Sequence, residues 1–300
     1  MNISTTVTEL KPMKMHPLAV VLHLYYTELF DEVLTYLDNL DDAFDLYLSI
    51  DEDQLAFTER VFAKYPGATI LIVPNRGRDL APFLEFLKII LPLGYRTLLK
   101  IHTKKTLHRE DGTTWRMDVF DKLLGSKAQV ASIEKALETD NLLAMVGPQD
   151  HVLDSRFYIG KNAAIVQDLL YRCGFAQSLP ESFLFVASTM FWAKPEVFEP
   201  LLRAELSFDD FESEPLPVDG SLAHALERFI GLLVEVQGKK VRSFDLNGKL
   251  ETPDPFEIYP FATPPAHLRL RNLKSVVFYR AYEEAYAIEY LRVTAPFRAA

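Results

Sequence analysis

The chain has 300 residues, 49% hydrophobic and 25% charged, with a formal net charge of −10. This is the composition of a globular protein large enough for one big α/β domain or two small ones. The acidic balance argues against nucleic acid as a partner, which needs a broad basic surface, and the single cysteine, Cys173, excludes an intrachain disulfide and makes a reducing cytoplasm the expected setting.

The sequence has neither a Cys-x-x-Cys pair nor a His-Glu-x-x-His run, so no structural or protease-type zinc site is expected. No stretch approaches the roughly 18 uninterrupted apolar residues of a membrane span. Residues 1–15 are polar, without the apolar core of a signal peptide, and are expected to be a flexible leader.

Ala19 to Tyr26 is a continuous apolar run of strand length, and Leu29, Phe30, Val33, Leu34 and Leu37 then repeat at helical spacing. Phe44 to Ile50 reads as a second strand, followed by a helix through Phe57, Val61 and Phe62, and Ala68 to Val73 reads as a third. The turn Pro74-Asn-Arg-Gly-Arg-Asp79 leads into a helix over Leu80 to Leu91, and Tyr95 to Ile101 is a fourth strand. Such alternation implies parallel pairing, right-handed crossovers and a mostly parallel, doubly wound α/β sheet with helices on both faces.

Asp118–Leu124 and Ala128–Leu137 read as helices and Leu142–Val146 as a short strand. Ile159–Arg172 contains a helix, Phe183–Ala193 contains a strand, and Pro195 opens a helix to Leu202. Asp219 to Val236 is a helix with Leu222, Ala225, Leu226, Phe229, Ile230 and Leu233 on one side, closed by Gly238 and followed by a last strand over Val241–Leu246. Beyond Thr252 the chain is proline-rich, then aromatic. Residues 16–252 read as one domain, and residues 253–300 as a helical extension packed on it.

The fourth strand runs into a cationic tip formed by Lys100, His102, Lys104 and Lys105. Ligands of open α/β sheets bind at strand ends, and ammonium and imidazole groups there suit a phosphate or diphosphate. At the preceding turn, Asn75 stands before Arg76, and Gly77 permits a tight bend. Helix-start amides favour an anion, and Arg76 and Arg78 suit a diphosphate. Asp79 suits either a helix cap or a ribose or base contact. An ordinary capped surface turn fits the same residues. Trp115 with Arg116 suits either an anion clamp that also stacks on a base or a core Trp beside a surface Arg. Ser188, Thr189, Trp192 and His224 are candidates for a sugar or acceptor pocket, with backbone-bonded hydroxyls as the plainer reading of the first two. Asp219 and Glu212 are candidates for a general base, although Asp219 also fits an N-cap. His224 and Glu227 fall one turn apart on one helix face.

Four segments together resemble the rhamnan synthesis protein F family of bacterial polysaccharide-assembly proteins. They are Val73-Pro-Asn-Arg-Gly-Arg-Asp-Leu-Ala-Pro-Phe83, Leu99-Lys-Ile-His-Thr-Lys-Lys105 with Trp115-Arg116, Phe185-Val-Ala-Ser-Thr-Met-Phe-Trp-Ala193, and Asp219-Gly-Ser-Leu-Ala-His-Ala-Leu-Glu-Arg228. They stand in the family's order, and the resemblance runs from about His16 to Leu246. It implies a GT-A-like fold. It also implies sugar transfer from a nucleotide donor, dTDP-L-rhamnose, to a growing, lipid-linked glycan in rhamnan or O-antigen (lipopolysaccharide) assembly.

GT-A enzymes commonly carry Asp-x-Asp where the fourth strand ends, whereas this chain has His102-Thr-Lys104. The departure points to a metal-independent site with no cofactor besides the donor substrate, and a β-L-rhamnosyl donor giving an α-linkage implies inversion. In it Lys104, Lys105, Arg76 and Arg78 stabilise the leaving dTDP, and Asp219 or Glu212 deprotonates the acceptor. A non-catalytic nucleotide- or carbohydrate-binding module assisting another transferase fits the same tips. His267 to Arg280 mixes basic and apolar residues, which suits either docking on the core or peripheral contact with the inner face of the cell membrane.

Overall fold

In a computed structural model, which describes residues 13–253 apart from 42, 106–111 and 218, every residue of β1 (Leu18–Leu24) is buried. A strand with no solvated face needs neighbours on both edges and helices on both faces. β1 pairs in parallel with β2 (Phe44–Asp51) on one side and β4 (Thr97–His102) on the other. β2 in turn pairs in parallel with β3 (Thr69–Val73).

The helices between them are α1 (Phe30–Leu37), α2 (Thr58–Lys64) and α3 (Leu80–Leu93). α4 (Gly112–Leu124) and α5 (Lys127–Thr139) follow β4. Side chains alternate across β1 with period two. Leu18, Val20, Leu22 and Leu24 join α1, α2, α4 and α5 in one core. Ala19 and Val21 face the other core, built with α3 and later helices.

The second half completes an eight-stranded sheet. β5 (Leu143–Pro148) is followed by β6 (Val152–Asp154), α6 (Ser155–Tyr158) and α7 (Ala163–Arg172). β7 (Leu184–Val186), β8 (Phe191–Ala193), α8 (Leu222–Val236), β9 (Lys240–Phe244) and β10 (Leu250–Glu251) close the order. The large sheet runs β10-β9-β5-β8-β4-β1-β2-β3, and β6 and β7 form a separate antiparallel pair. The architecture is thus α/β with a large, mostly parallel mixed sheet. β8 is the reversed strand, antiparallel to both β4 and β5, and β10 runs antiparallel to β9.

Three sequence expectations change in detail. Phe183–Ala193 holds two short strands, because Ala187–Met190 forms a turn between β7 and β8. Pro195 opens a 3-10 helix through Ala204 rather than an α-helix; Pro200 inside it has no N–H to donate. α4 starts earlier than expected, at Gly112. Among the described residues no helix is long and apolar enough to cross a membrane. Apart from residues 13–15 and 253, the expected leader and the C-terminal extension with its basic stretch lie outside the described residues.

α8 lies directly on β7, and Gly231 makes this approach possible. A Cβ at that position would stand 2.0 Å from the Leu184 carbonyl oxygen and 2.7 Å from Phe185 Cα. Those are backbone atoms and cannot swing aside. We therefore expect Gly231→Ala to push α8 off the sheet at a cost of about 2–3 kcal/mol, lowering Tm by roughly 5–10 °C in thermal denaturation. An unchanged Tm would contradict this close approach.

Candidate active site

The chain leaves β1 for β2 and β3 on one side, then returns to place β4 on β1's other edge. The carboxyl ends of β1 and β4 therefore diverge at a topological switch point, where ligands of such sheets bind. A cleft of about 740 Å³ opens there. α3 and α8 each precede a strand of the parallel set, so both run back against it and present their N-termini at this edge. Because β8 is reversed, the Ser188–Thr189 turn before it also arrives here. Lys100 pairs in register with Phe191 at the start of β8.

At the base of the cleft lies an ion pair between Lys100 and Asp79. The Lys100 side chain is 1% exposed; its Nζ donates to Asp79 Oδ2 and, at 2.9 Å, to the Thr189 carbonyl. Nζ also sits over the Phe83 and Phe191 rings, 5.4 and 5.9 Å from their centroids. Asp79 occupies the position before α3 but makes no capping bond. Thr189 Oγ1 lies 2.7 Å from Asp79 Oδ2, and Thr189 has φ +52°, which is rare for a β-branched residue and of order 1–3 kcal/mol in cost. Burial opposes ionisation of Asp79, but His102, Lys100 and the two hydrogen bonds hold its carboxyl below the usual range.

Three histidines line the walls. His23 and His102 are register partners at the ends of β1 and β4, and His224 sits in the first turn of α8. Burial first, then neighbouring cations, keep them neutral: His23 falls to about 4, His102 to about 3 and His224 to about 4. His23 Nδ1 is 2.9 Å from Ser49 Oγ. His224 Nδ1 is 2.7 Å from Ser221 Oγ, and its Nε2 is 3.3 Å from Arg78 Nη1. A neutral ring with its proton on Nδ1 thus accepts from the Arg78 guanidinium.

The expected site residues divide into two groups. Asn75, Arg78, Asp79, His102, Lys104, Lys105, Ser188, Thr189 and His224 line the cleft. Gly77 does not line it but shapes its turn: φ is +71°, and a Cβ would stand 2.5 Å from Ala81 Cβ. The amides at the start of α3 are already engaged, since Leu80 and Ala81 both donate to the Gly77 carbonyl. They offer an anion the helix dipole but no free N–H.

Other expectations are corrected. Arg76 points away, donating to the Phe211 and Asp209 carbonyls and to the Asp209 carboxylate. Arg116 is buried; it makes a bidentate pair with Glu32 at 2.7 and 3.0 Å, and its third bond holds the Lys104 carbonyl. Trp115 is buried as well, but Lys104 Nζ lies 4.6 Å above its ring. Trp192 is fully buried on the opposite face of the sheet, donating to the Leu123 carbonyl at 3.1 Å.

Neither proposed base reaches the cleft lining. Asp219 accepts from the Lys161 amide at 2.9 Å and from Asn162 Nδ2 at 2.7 Å, and the N-cap of α8 is Ser221 rather than Asp219. Glu212 accepts from the Leu222 amide through both oxygens.

Sequence reasoning passed over several lining residues: His23, Tyr25, Tyr26, Glu214 and Glu227. The period-two spacing of Lys100 and His102 was one available signal, because it puts both on the α3 and α8 face of β4. The His224–Glu227 spacing was another. Glu227 is recessed in the wall, its side chain 21% exposed and 3.3 Å from Arg228, and burial raises its carboxyl above the usual value.

The cations differ in their partners. Lys100 pairs with Asp79, Lys105 with Glu28 and Arg78 with Glu214. Among the described residues no carboxylate pairs with Lys104. No three His, Cys, Asp or Glu side chains among the described residues converge as a metal-binding group.

The neutral histidines predict acid lability. The unfolded chain protonates them near pH 6.5, and the fold resists this until about 4 or below. Stability therefore falls as the pH drops from 6.5 toward 4, by up to about 1.4 kcal/mol per pH unit for each ring. Urea unfolding across this range reads the slope, and His23→Asn removes one ring's share. A flat profile would mean that the rings are solvated.

The family model for rhamnan synthesis protein F matches residues 2–238 of this chain. Proteins named "Uncharacterized protein WxcX", from two strains of Xanthomonas campestris pv. campestris, are 36% identical to it over 227 residues. That alignment takes in 75% of this chain and 32% of each relative, so the chain spans about a third of the length of the curated relatives it matches.

Proposed function

Since the chain belongs to the rhamnan synthesis protein F family, a family of polysaccharide synthesis, we propose that the cleft is the donor site of a glycosyltransferase with a GT-A-like fold. It takes a nucleotide-sugar, dTDP-L-rhamnose, and passes the sugar to a growing glycan such as rhamnan or O-antigen, carried on a lipid. The observation that carries this reading is Lys104, a cleft cation without a carboxylate partner among the described residues, beside Arg78 and Lys105 and facing the positive ends of α3 and α8. Tyr25 and Tyr26 on the same wall give the nucleoside an aromatic surface.

In this reading the acceptor hydroxyl oxygen attacks the sugar's C1 as the bond from C1 to the diphosphate oxygen breaks. The bonding pair stays on that oxygen, and Lys104 and Arg78 stabilise its charge without a metal. The hydroxyl proton passes to a carboxylate. We assign this role to Glu227, because Asp219 and Glu212 are occupied with backbone amides outside the cleft lining and Asp79 is committed to Lys100. Burial raises the affinity of Glu227 for a proton, the direction that favours a general base. Attack opposite the leaving group inverts the anomeric centre.

Calorimetric titration with dTDP, UDP and GDP, each in EDTA and in Mn²⁺, tests the donor site. We expect dTDP binding in both conditions, weakened about 10- to 100-fold in Lys104→Ala. Binding that depends on Mn²⁺ would overturn the metal-independent part, and no nucleotide binding at all would overturn the donor site.

Glu227→Gln is expected to keep dTDP binding while slowing rhamnosyl transfer about 10²- to 10⁴-fold. An equal loss in Asp219→Asn, with Glu227→Gln active, would return the base to Asp219. Because the curated relatives are more than twice as long, a module that binds the nucleotide for another transferase is the second reading. Tight dTDP binding without transfer to any glycan acceptor would favour it.

A further inference from the structure

His102 differs from the other two cleft histidines in one respect. His23 and His224 each have Nδ1 within hydrogen-bond distance of a serine hydroxyl, but His102 Nδ1 is buried with no hydrogen-bond partner among the described residues. It lies 3.5 Å from Asp79 Oδ2, beyond a good hydrogen bond. A buried, orphaned ring nitrogen beside a carboxylate costs free energy. A small shift with a proton on Nδ1 removes that cost. The ring is 5% exposed, and that exposure is to the cleft.

The groups facing His102 explain why it stays neutral while the cleft is empty. Asp79, at the head of α3, attracts a proton. Lys100 on its own strand, Lys104 beyond it and His23 on β1 oppose one, and burial is the largest obstacle. Glu227 on α8 acts on Lys100 from the far wall. Lys100 already neutralises Asp79, so no net negative charge is left to draw a proton onto His102. A diphosphate changes this balance, because it brings negative charge next to Lys104, which has no carboxylate partner among the described residues.

We propose that His102 takes up a proton as a diphosphate enters the cleft, its Nδ1–H then donating to Asp79 Oδ2 and its Nε2–H to a phosphate oxygen. The inference rests on the donor-site reading above and extends it. His102 becomes a catalytic residue that hydrogen-bonds the departing diphosphate. The proton comes from solvent on binding and returns to solvent when the nucleotide leaves, so no group is consumed.

The sugar-linked diphosphate of dTDP-L-rhamnose does not titrate near neutral pH, so protons taken up on binding belong to the protein. Titration calorimetry in buffers of low and high ionisation enthalpy counts them. At pH 6.5 we expect the wild type to take up between half a proton and one proton, and His102→Gln close to none. Wild-type affinity should weaken by up to tenfold per pH unit as the pH rises between the pKa of the free ring and that of the bound ring and level off above it, while that of His102→Gln stays nearly level throughout. Long-range ¹⁵N spectra of the histidine rings should show His102 passing from neutral to imidazolium on saturation.

Binding of dTDP-L-rhamnose with no buffer dependence, or with uptake unchanged in His102→Gln, would overturn the inference and leave the transferase reading standing. Proton uptake at His102 without sugar transfer to any glycan acceptor would overturn the transferase and leave the inference. If dTDP-L-rhamnose does not bind, inorganic pyrophosphate followed by the ring spectra decides alone. A His102 ring that stays neutral when saturated, or no binding of either ligand, overturns the proposal.

Discussion

The buried pair between Lys100 and Asp79 ties together three parts of the chain that are far apart in sequence. Lys100 belongs to β4, Asp79 to the head of α3, and Thr189, bonded to both, to the turn before β8. Removing either charge alone would leave the other uncompensated in a dry interior, which typically costs about 3–5 kcal/mol. The pair therefore fixes where α3 begins relative to the sheet edge and holds Thr189 in its left-handed conformation. It also settles the cleft's electrostatics, because Asp79 is spent on Lys100 and cannot serve as a base or as a counter-charge for the outer lysines.

The topology then supplies the remaining walls. Parallel strands connected by helices send α3 and α8 back toward the carboxyl edge, so both N-termini converge on one place. The reversed strand β8 brings a turn to the same edge. In an all-parallel sheet that turn would lie at the opposite end. Among the described residues, the result is a cleft with mostly paired cations, a lysine, Lys104, with no carboxylate partner, and three neutral imidazoles. Its local charge is cationic, although the whole chain carries a net charge of −10.

Much of this was legible in the sequence. The alternating strands and helices of the first half gave the parallel order. The cationic turn after β4 and the Asn75–Asp79 turn after β3 lie at the same carboxyl edge of the sheet, as expected, and nine of the expected residues line one cleft. What failed was the direction of individual side chains. Arg76 and Arg116 look like anion ligands in a list of residues, but each has a closer partner: Arg76 the loop around Phe211 and Asp209, Arg116 the Glu32 carboxylate. Trp192 lies only three residues from Thr189, yet it faces the other core, because neighbouring strand positions point to opposite sides of a sheet.

Asp219 and Glu212 show the same limit from the acid side. Each is adjacent to the long helix in sequence, and each is drawn to amide donors that only the folded chain brings near. By itself, the sequence determined the α/β class, the strand ends that border the cleft and their cationic character, because these follow from local periodicity and residue type. Only the tertiary structure decided which charges are spent on one another and which remain free. That depends on long-range approaches such as Lys100 to Asp79 and Arg116 to Glu32, and distance in the fold has no counterpart in residue order.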